Sequence, residues 1–137
     1  MSRRKAREMA LQSLYQLDFN ATGPEQALTA AVEAAGEPDA KTKAYAWELF
    51  SGATANRIAI DEIIVRASAE WKLDRMASVD RNIARIAVYE MRFGSEPLTP
   101  NVVINEAVEL AKTFGTEESS RFVNGILGSL VKNKGAT

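Results

Sequence analysis

The sequence predicts an all-α protein, a compact bundle of about six or seven helices in two packed helical groups. Three observations predict it. Apolar residues recur at three- and four-residue steps almost throughout the 137-residue chain, glycine and proline fall between those runs, and no bounded stretch alternates in the manner of a strand pair. Asn124-Gly125 is the one hairpin-like dipeptide, and it sits inside helical periodicity.

From Ser2, a suitable N-cap, the first helix carries Ala6, Ala10, Leu14 and Leu17 on one side and Lys5, Glu8, Gln12 and Gln16 on the other. Asn20-Ala21-Thr22-Gly23-Pro24 breaks it, and Pro24 opens a short alanine-rich helix ending at Gly36. Pro38 and Asp39 start a long third helix, whose stripe of Tyr45, Leu49, Phe50, Ala53, Ile60, Ile63, Ile64 and Ala67 runs unbroken toward Trp71. Gly52 lies inside it, where an internal glycine permits either a close helix crossing or a mild kink.

Trp71-Lys72-Leu73-Asp74-Arg75 reads as a connector. Ser78 or Val79 begins the next helix, carrying Ile83, Ile86, Ala87 and Met91, and Gly94 ends it. Thr99-Pro100 gives an N-cap and first-turn proline to a helix with Val103, Ala107, Leu110, Ala111 and Phe114 inside, which Gly115 stops. Thr116 is the expected cap of the last helix, with Glu117 and Glu118 complementing its dipole and Phe122, Val123, Ile126, Leu127, Leu130 and Val131 as its buried stripe. The expected organisation is one domain over 1–137, with helical halves at about 1–70 and 71–133 and a frayed tail at 134–137.

Composition narrows function. With no cysteine and no histidine, the chain lacks disulfides, thiolate zinc sites, cysteine nucleophiles and histidine triads. Glu106 and Glu109 are spaced to share a helix face, but a di-metal bundle site would add Glu-x-x-His motifs. Gly125-Ile126-Leu127-Gly128 lacks the lysine and the strand context of a phosphate loop, so a packing role is expected. Neither metal nor cofactor is predicted. No apolar run approaches the roughly 20 residues that span a bilayer, so a cytoplasmic, non-membrane protein is expected.

One charge pattern stands against helix stability. Arg3, Arg4, Lys5 and Arg7 crowd the first turn or so of a helix, where the macrodipole disfavours cations, and without them the formal charge would fall from −1 to −5. Four such groups suit phosphate. Tyr15 lies two turns beyond Arg7, and Arg121 adjoins Phe122 in another helix; cations beside an aromatic face suit unpaired RNA, although spacing alone also allows both rings to be core.

The residues that carry a family likeness are Arg3-Arg4-Lys5-Ala6-Arg7-Glu8, Ala10-Leu11-Gln12, Leu14-Tyr15, Val79-Asp80-Arg81 and Arg85-Ile86-Ala87-Val88-Tyr89-Glu90-Met91. Further along come Ile104-Asn105-Glu106-Ala107-Val108-Glu109-Leu110-Ala111-Lys112, Phe114-Gly115 and Phe122-Val123-Asn124-Gly125-Ile126-Leu127. Together they resemble the NusB family of bacterial transcription antitermination factors over essentially the whole chain; the 25–39 region matches poorly.

The resemblance implies a non-enzymatic, all-helical factor that binds boxA-type single-stranded leader RNA with the ribosomal protein NusE, among other Nus factors and RNA polymerase. Carried over by position, Arg3, Arg4, Lys5 and Arg7 would face phosphate, Tyr15 would flank the same surface, Arg121 and Phe122 would extend it, and Glu118 would temper affinity there. Asp80 would face NusE. Some members self-associate, so a homodimer is among the states implied. Two other readings remain: a helical protein-interaction module without RNA binding, and a stand-alone relative of the N-terminal domain of ribosomal RNA cytosine methyltransferases.

Overall fold

The computed structural model describes residues 1–19, 23–67 and 73–132. The 20–22 part of the first expected break, the Trp71-Lys72 part of the connector and the 134–137 tail lie outside them. The described helices are α1 (Arg3–Phe19), α2 (Pro24–Ala34), α3 (Ala40–Ala55), α4 (Arg57–Ala67), α5 (Ser78–Val88), α6 (Pro100–Phe114) and α7 (Ser119–Lys132). A 3-10 turn, Leu73–Arg75, precedes α5 and a π-turn, Tyr89–Phe93, follows it. No strand occurs among the described residues, and none of the helices is long and apolar enough to cross a membrane.

The helix starts follow local chemistry. Ser2 Oγ accepts from the Lys5 amide at 3.1 Å, which caps α1, and Asp39 Oδ1 accepts from the Thr42 amide at 2.8 Å, which caps α3. Past the end of α2, Gly36 takes φ 77°, a left-handed conformation that costs glycine nothing. Thr99 stands at the N-cap position of α6 without a side-chain cap bond.

Two local expectations are corrected. The single long third helix is two: Asn56, at φ −103° and ψ 15°, ends α3 while its Nδ2 donates to the Gly52 carbonyl at 2.8 Å, and α4 starts at once. An asparagine competes with the helix for backbone partners, so the apolar stripe carries on while the axis does not. Thr116 does not cap α7; that helix starts at Ser119, whose buried Oγ instead accepts from the Thr116 amide at 2.9 Å. The Gly125–Gly128 stretch packs as expected through Ile126 and Leu127, both fully buried, while a Cβ at either glycine would meet nothing within 4 Å.

Gly52 takes the close-approach alternative. A Cβ there would fall within the ring of Tyr89, so the absent side chain makes room for that aromatic against α3. The π-turn carrying Tyr89 also departs from the regular helix expected to run to Gly94, and it directs Glu90 inward, 2% exposed.

α5 is the central element, buried continuously from Asn82 to Val88. Its Ile83 and Ile86 meet Leu49 and Phe50 of α3, Ile60 of α4 and Ile126 of α7 in the main core. Each such side chain, fully buried, contributes about 1.5–3 kcal/mol. A smaller cluster of Ala6, Met9, Ala31 and Ala46 joins α1, α2 and α3. Small side chains let these three helices approach closely, and that fixes the direction in which the α1 N-terminus projects.

Candidate nucleic-acid interface

The cationic turn is divided by the helix that carries it. Arg3, Arg4 and Lys5 are exposed, while Arg7 is 3% exposed. A helical residue four positions on returns to the same side one turn deeper, so Arg7 points where the bundle closes over it. Its guanidinium makes a bidentate pair with Glu90, Nε to Oε1 at 2.8 Å and Nη2 to Oε2 at 3.0 Å. Tyr45 Oη donates to the same Oε2 at 2.5 Å. Burial, then the adjoining Glu90 carboxylate, raises the Tyr45 hydroxyl well above its ordinary range. The expectation that Arg7 faces phosphate is therefore corrected: its charge is consumed inside the fold.

The exposed members diverge. Arg3 lies over the Tyr45 ring, 5.7 Å from its centroid. Arg4 crosses to α6 and pairs with Glu106, Nε to Oε2 at 3.1 Å and Nη2 to Oε1 at 3.3 Å, which raises its pKa. Lys5 and Arg121 have no carboxylate within salt-bridge distance among the described residues. An open depression of about 570 Å³ is lined by the cations Arg4, Lys112 and Arg121, the acids Glu106 and Glu109, and the neutral polar Asn105, Ser120 and Asn124.

The two aromatic candidates separate. Tyr15 is 44% exposed and packs on the still more exposed Phe19, with centroids 4.8 Å apart and planes at 44°. Its ring borders an apolar groove of about 400 Å³, walled by Ala27 and Ala31 of α2, with Gln12 and Gln16 alongside. Phe122 is half-buried against the main core, so it acts first as packing. Glu118 is exposed in the turn ahead of α7, where its carbonyl accepts from the Phe122 amide at 3.0 Å. Its carboxylate therefore stands near both Arg121 in sequence and the positive end of α7.

Asp80 does not present surface charge. It is 8% exposed at the start of α5, and its Oδ1 is buried without a hydrogen-bond partner. Most of the side chain is covered, so any contact it makes with NusE is a short-range one rather than long-range attraction. Beside it runs a polar seam that closes α1 onto α5: Asp18 Oδ2 accepts from Ser78 at 2.6 Å, Asn82 at 2.9 Å and Arg81 at 3.2 Å. Burial alone would raise the Asp18 carboxyl, but these hydrogen bonds and the Arg81 charge outweigh it and hold the carboxyl below its ordinary value. Asn82 Oδ1 accepts from Arg85, which in turn forms a bidentate pair with Asp61 of α4 at 2.8 and 3.1 Å.

The paired acids are also settled by their partners. Glu106 faces Arg4 and Glu109 lies 3.7 Å from Lys112, so each carboxylate in the shared groove has its own cation. No group of three or more metal-ligating acids occurs among the described residues.

A profile described as the NusB family matches residues 4–132. The chain belongs to the NusB family. It is 47% identical over 131 residues to the transcription antitermination protein NusB of Bdellovibrio bacteriovorus, covering 96% of each chain. Against that of Symbiobacterium thermophilum it is 47% identical over 144 residues, covering 99% of this chain and 94% of the other. Among solved structures, T. maritima NusB superposes with a TM-score of 0.85 at 37% identity, over 96% of this chain and 92% of that one. NusB from a complex of antitermination factors NusB and NusE with double-stranded RNA superposes at 0.82 and 30% identity, over 95% and 96%. The NusB family comprises transcription antitermination factors rather than enzymes.

Within this NusB-family fold, several residues that shape the surface escape single-sequence reading. Glu90 and Tyr45, which hold Arg7, are separated from it by 83 and 38 positions, and no local pattern links them. Phe19 had a signal, four residues after Tyr15 on the same helix face. Lys112 had one too, as the cation following two acids on α6.

Proposed function

We propose that the protein is a non-enzymatic transcription antitermination factor that binds boxA-type single-stranded leader RNA in concert with the ribosomal protein NusE. The observation that carries this is the open groove where Arg4 of α1, Lys112 of α6 and Arg121 of α7 converge. Three helices contribute one cation each to the same groove; Arg4 and Lys112 are paired there with Glu106 and Glu109, and Arg121 has no carboxylate within salt-bridge distance among the described residues, so phosphate meets Arg121 directly and the other two by exchange. The exposed Tyr15–Phe19 pair, further along α1, offers a face on which unpaired bases stack.

Arg3, Arg4, Lys5 and Arg121 take the phosphate contacts, Tyr15 a base, and Glu118 lowers the general attraction for polyanions beside them. Such contacts fix position, whereas base discrimination falls to the aromatic side and to NusE. The factor works in the bacterial cytoplasm with other Nus factors and RNA polymerase, sustaining transcription of ribosomal RNA operons. Two modest surfaces on one RNA then reinforce each other through effective concentration.

The test is a titration of boxA RNA with and without NusE, alongside a duplex of the same sequence. Tighter binding of the single strand in the presence of NusE is expected. An RNA affinity that NusE leaves unchanged would overturn the coupled reading.

A further inference from the structure

We infer that Glu106 limits RNA affinity: its carboxylate occupies the Arg4 guanidinium in the free protein, and RNA phosphate must displace it. Four observations on the page lead there. The Arg4–Glu106 contact is bidentate, at 3.1 and 3.3 Å, which is the geometry a guanidinium also offers to phosphate. Arg4 is 61% exposed, whereas Glu106, on α6, is 25% exposed. The Glu106 Oε2 atom also lies 3.8 Å from Arg7 Nη1, and Arg7 is locked by its own bidentate pair with Glu90. Arg4 and Glu106 line the polar groove that carries Lys112 and Arg121.

These contacts define an exchange with two stable ends. In the free protein Glu106 neutralises Arg4. When a phosphate takes Arg4, Glu106 keeps a 3.8 Å contact to Arg7, whose charge Glu90 already meets, and one-quarter of its side chain faces water. The phosphate gained at Arg4 is thus offset by the carboxylate released, and the sequence-independent part of binding is held down.

The inference rests on the RNA-binding reading of this groove, and the experiment separates the two. Affinity for boxA RNA and for an unrelated single strand of equal length is measured across a salt series for the wild type, Glu106→Gln, Arg4→Ala and the double variant. Glu106→Gln is expected to tighten both RNAs, up to about fivefold, the range open to an exposed ion pair. Its salt slope should change little, because Arg4 meets the same phosphate in both proteins. In the Arg4→Ala background the same change should gain nothing. A Glu106→Gln affinity equal to or weaker than wild type, or a gain that survives loss of Arg4, overturns the inference; no RNA binding by the wild type overturns the functional reading itself. A wild-type readout needs no variant: the Arg4 Nε–H resonance should move on saturation with RNA while that of Arg7 stays. An unmoved Arg4 resonance at saturation also overturns it.

Discussion

Arg4 and Arg7 sit one turn apart on α1, and each meets a glutamate in a bidentate pair, yet the two pairs do opposite work. Arg7 and Glu90 are 4% and 2% exposed, joined at 2.8 Å and supported by Tyr45. Arg4 and Glu106 lie at the rim, 61% and 25% exposed. Burial makes the first pair a structural obligation, because breaking it strands a charge in low dielectric. Exposure leaves the second exchangeable, since water and salt screen it. What looks in sequence like one cationic patch is one internal strut and three surface cations.

The largest effect should follow from breaking the inner pair. Arg7→Ala leaves Glu90 buried with Tyr45 as its remaining donor, and chemical denaturation should show a loss of about 3–5 kcal/mol. Replacing both partners, Arg7→Met with Glu90→Met, removes the stranded charge and should recover most of that stability. A double variant as unstable as the single one would show that the pair is not the reason Arg7 is buried.

Gly52→Ala should come next. The added methyl meets the Tyr89 ring at the π-turn that aims Glu90, so overpacking of about 1–3 kcal/mol is expected in thermal melts. Neutral behaviour would mean that the π-turn shifts freely, weakening its claim to position Glu90.

The α1–α5 seam gives a pH-dependent test. The folded Asp18 carboxyl is held below its unfolded value, so its contribution is present above about pH 4 and is lost as pH falls through the lower folded value. Asp18→Asn should lower stability at neutral pH and flatten the acid limb of the stability profile. An unchanged acid limb would argue against the seam.

The smallest stability effect is expected for Arg4→Ala, whose melting transition should match the wild type while RNA binding weakens. A marked fall in melting temperature would make Arg4 structural too, and the comparison would collapse.

These contrasts also mark what was legible in the chain. Five helix starts and the α5, α6 and α7 core stripes were readable because capping and periodicity are local. The break at Asn56 was hidden, since the apolar period continues across it. Exposure of Tyr15 and part-burial of Phe122 could not be told apart, as both occupy amphipathic positions whose outcome depends on neighbouring helices. Arg7 was misassigned for the same reason: charge is visible in sequence, but its partner Glu90 lies 83 positions away and is turned inward by a π-turn that leaves no single-residue signature. The burial of Asp80, an acid at a helix start that the fold covers, was hidden in the same way.

The most direct test of the division is the salt dependence of RNA affinity in two folded variants, Arg4→Ala and the Arg7→Met/Glu90→Met double. Loss of one phosphate contact should make the slope of log affinity against log salt shallower by about one for Arg4→Ala and leave it unchanged for the double variant. A wild-type slope in Arg4→Ala, or a shallower one in the double variant, would contradict the assignment of Arg4 to RNA and Arg7 to the fold.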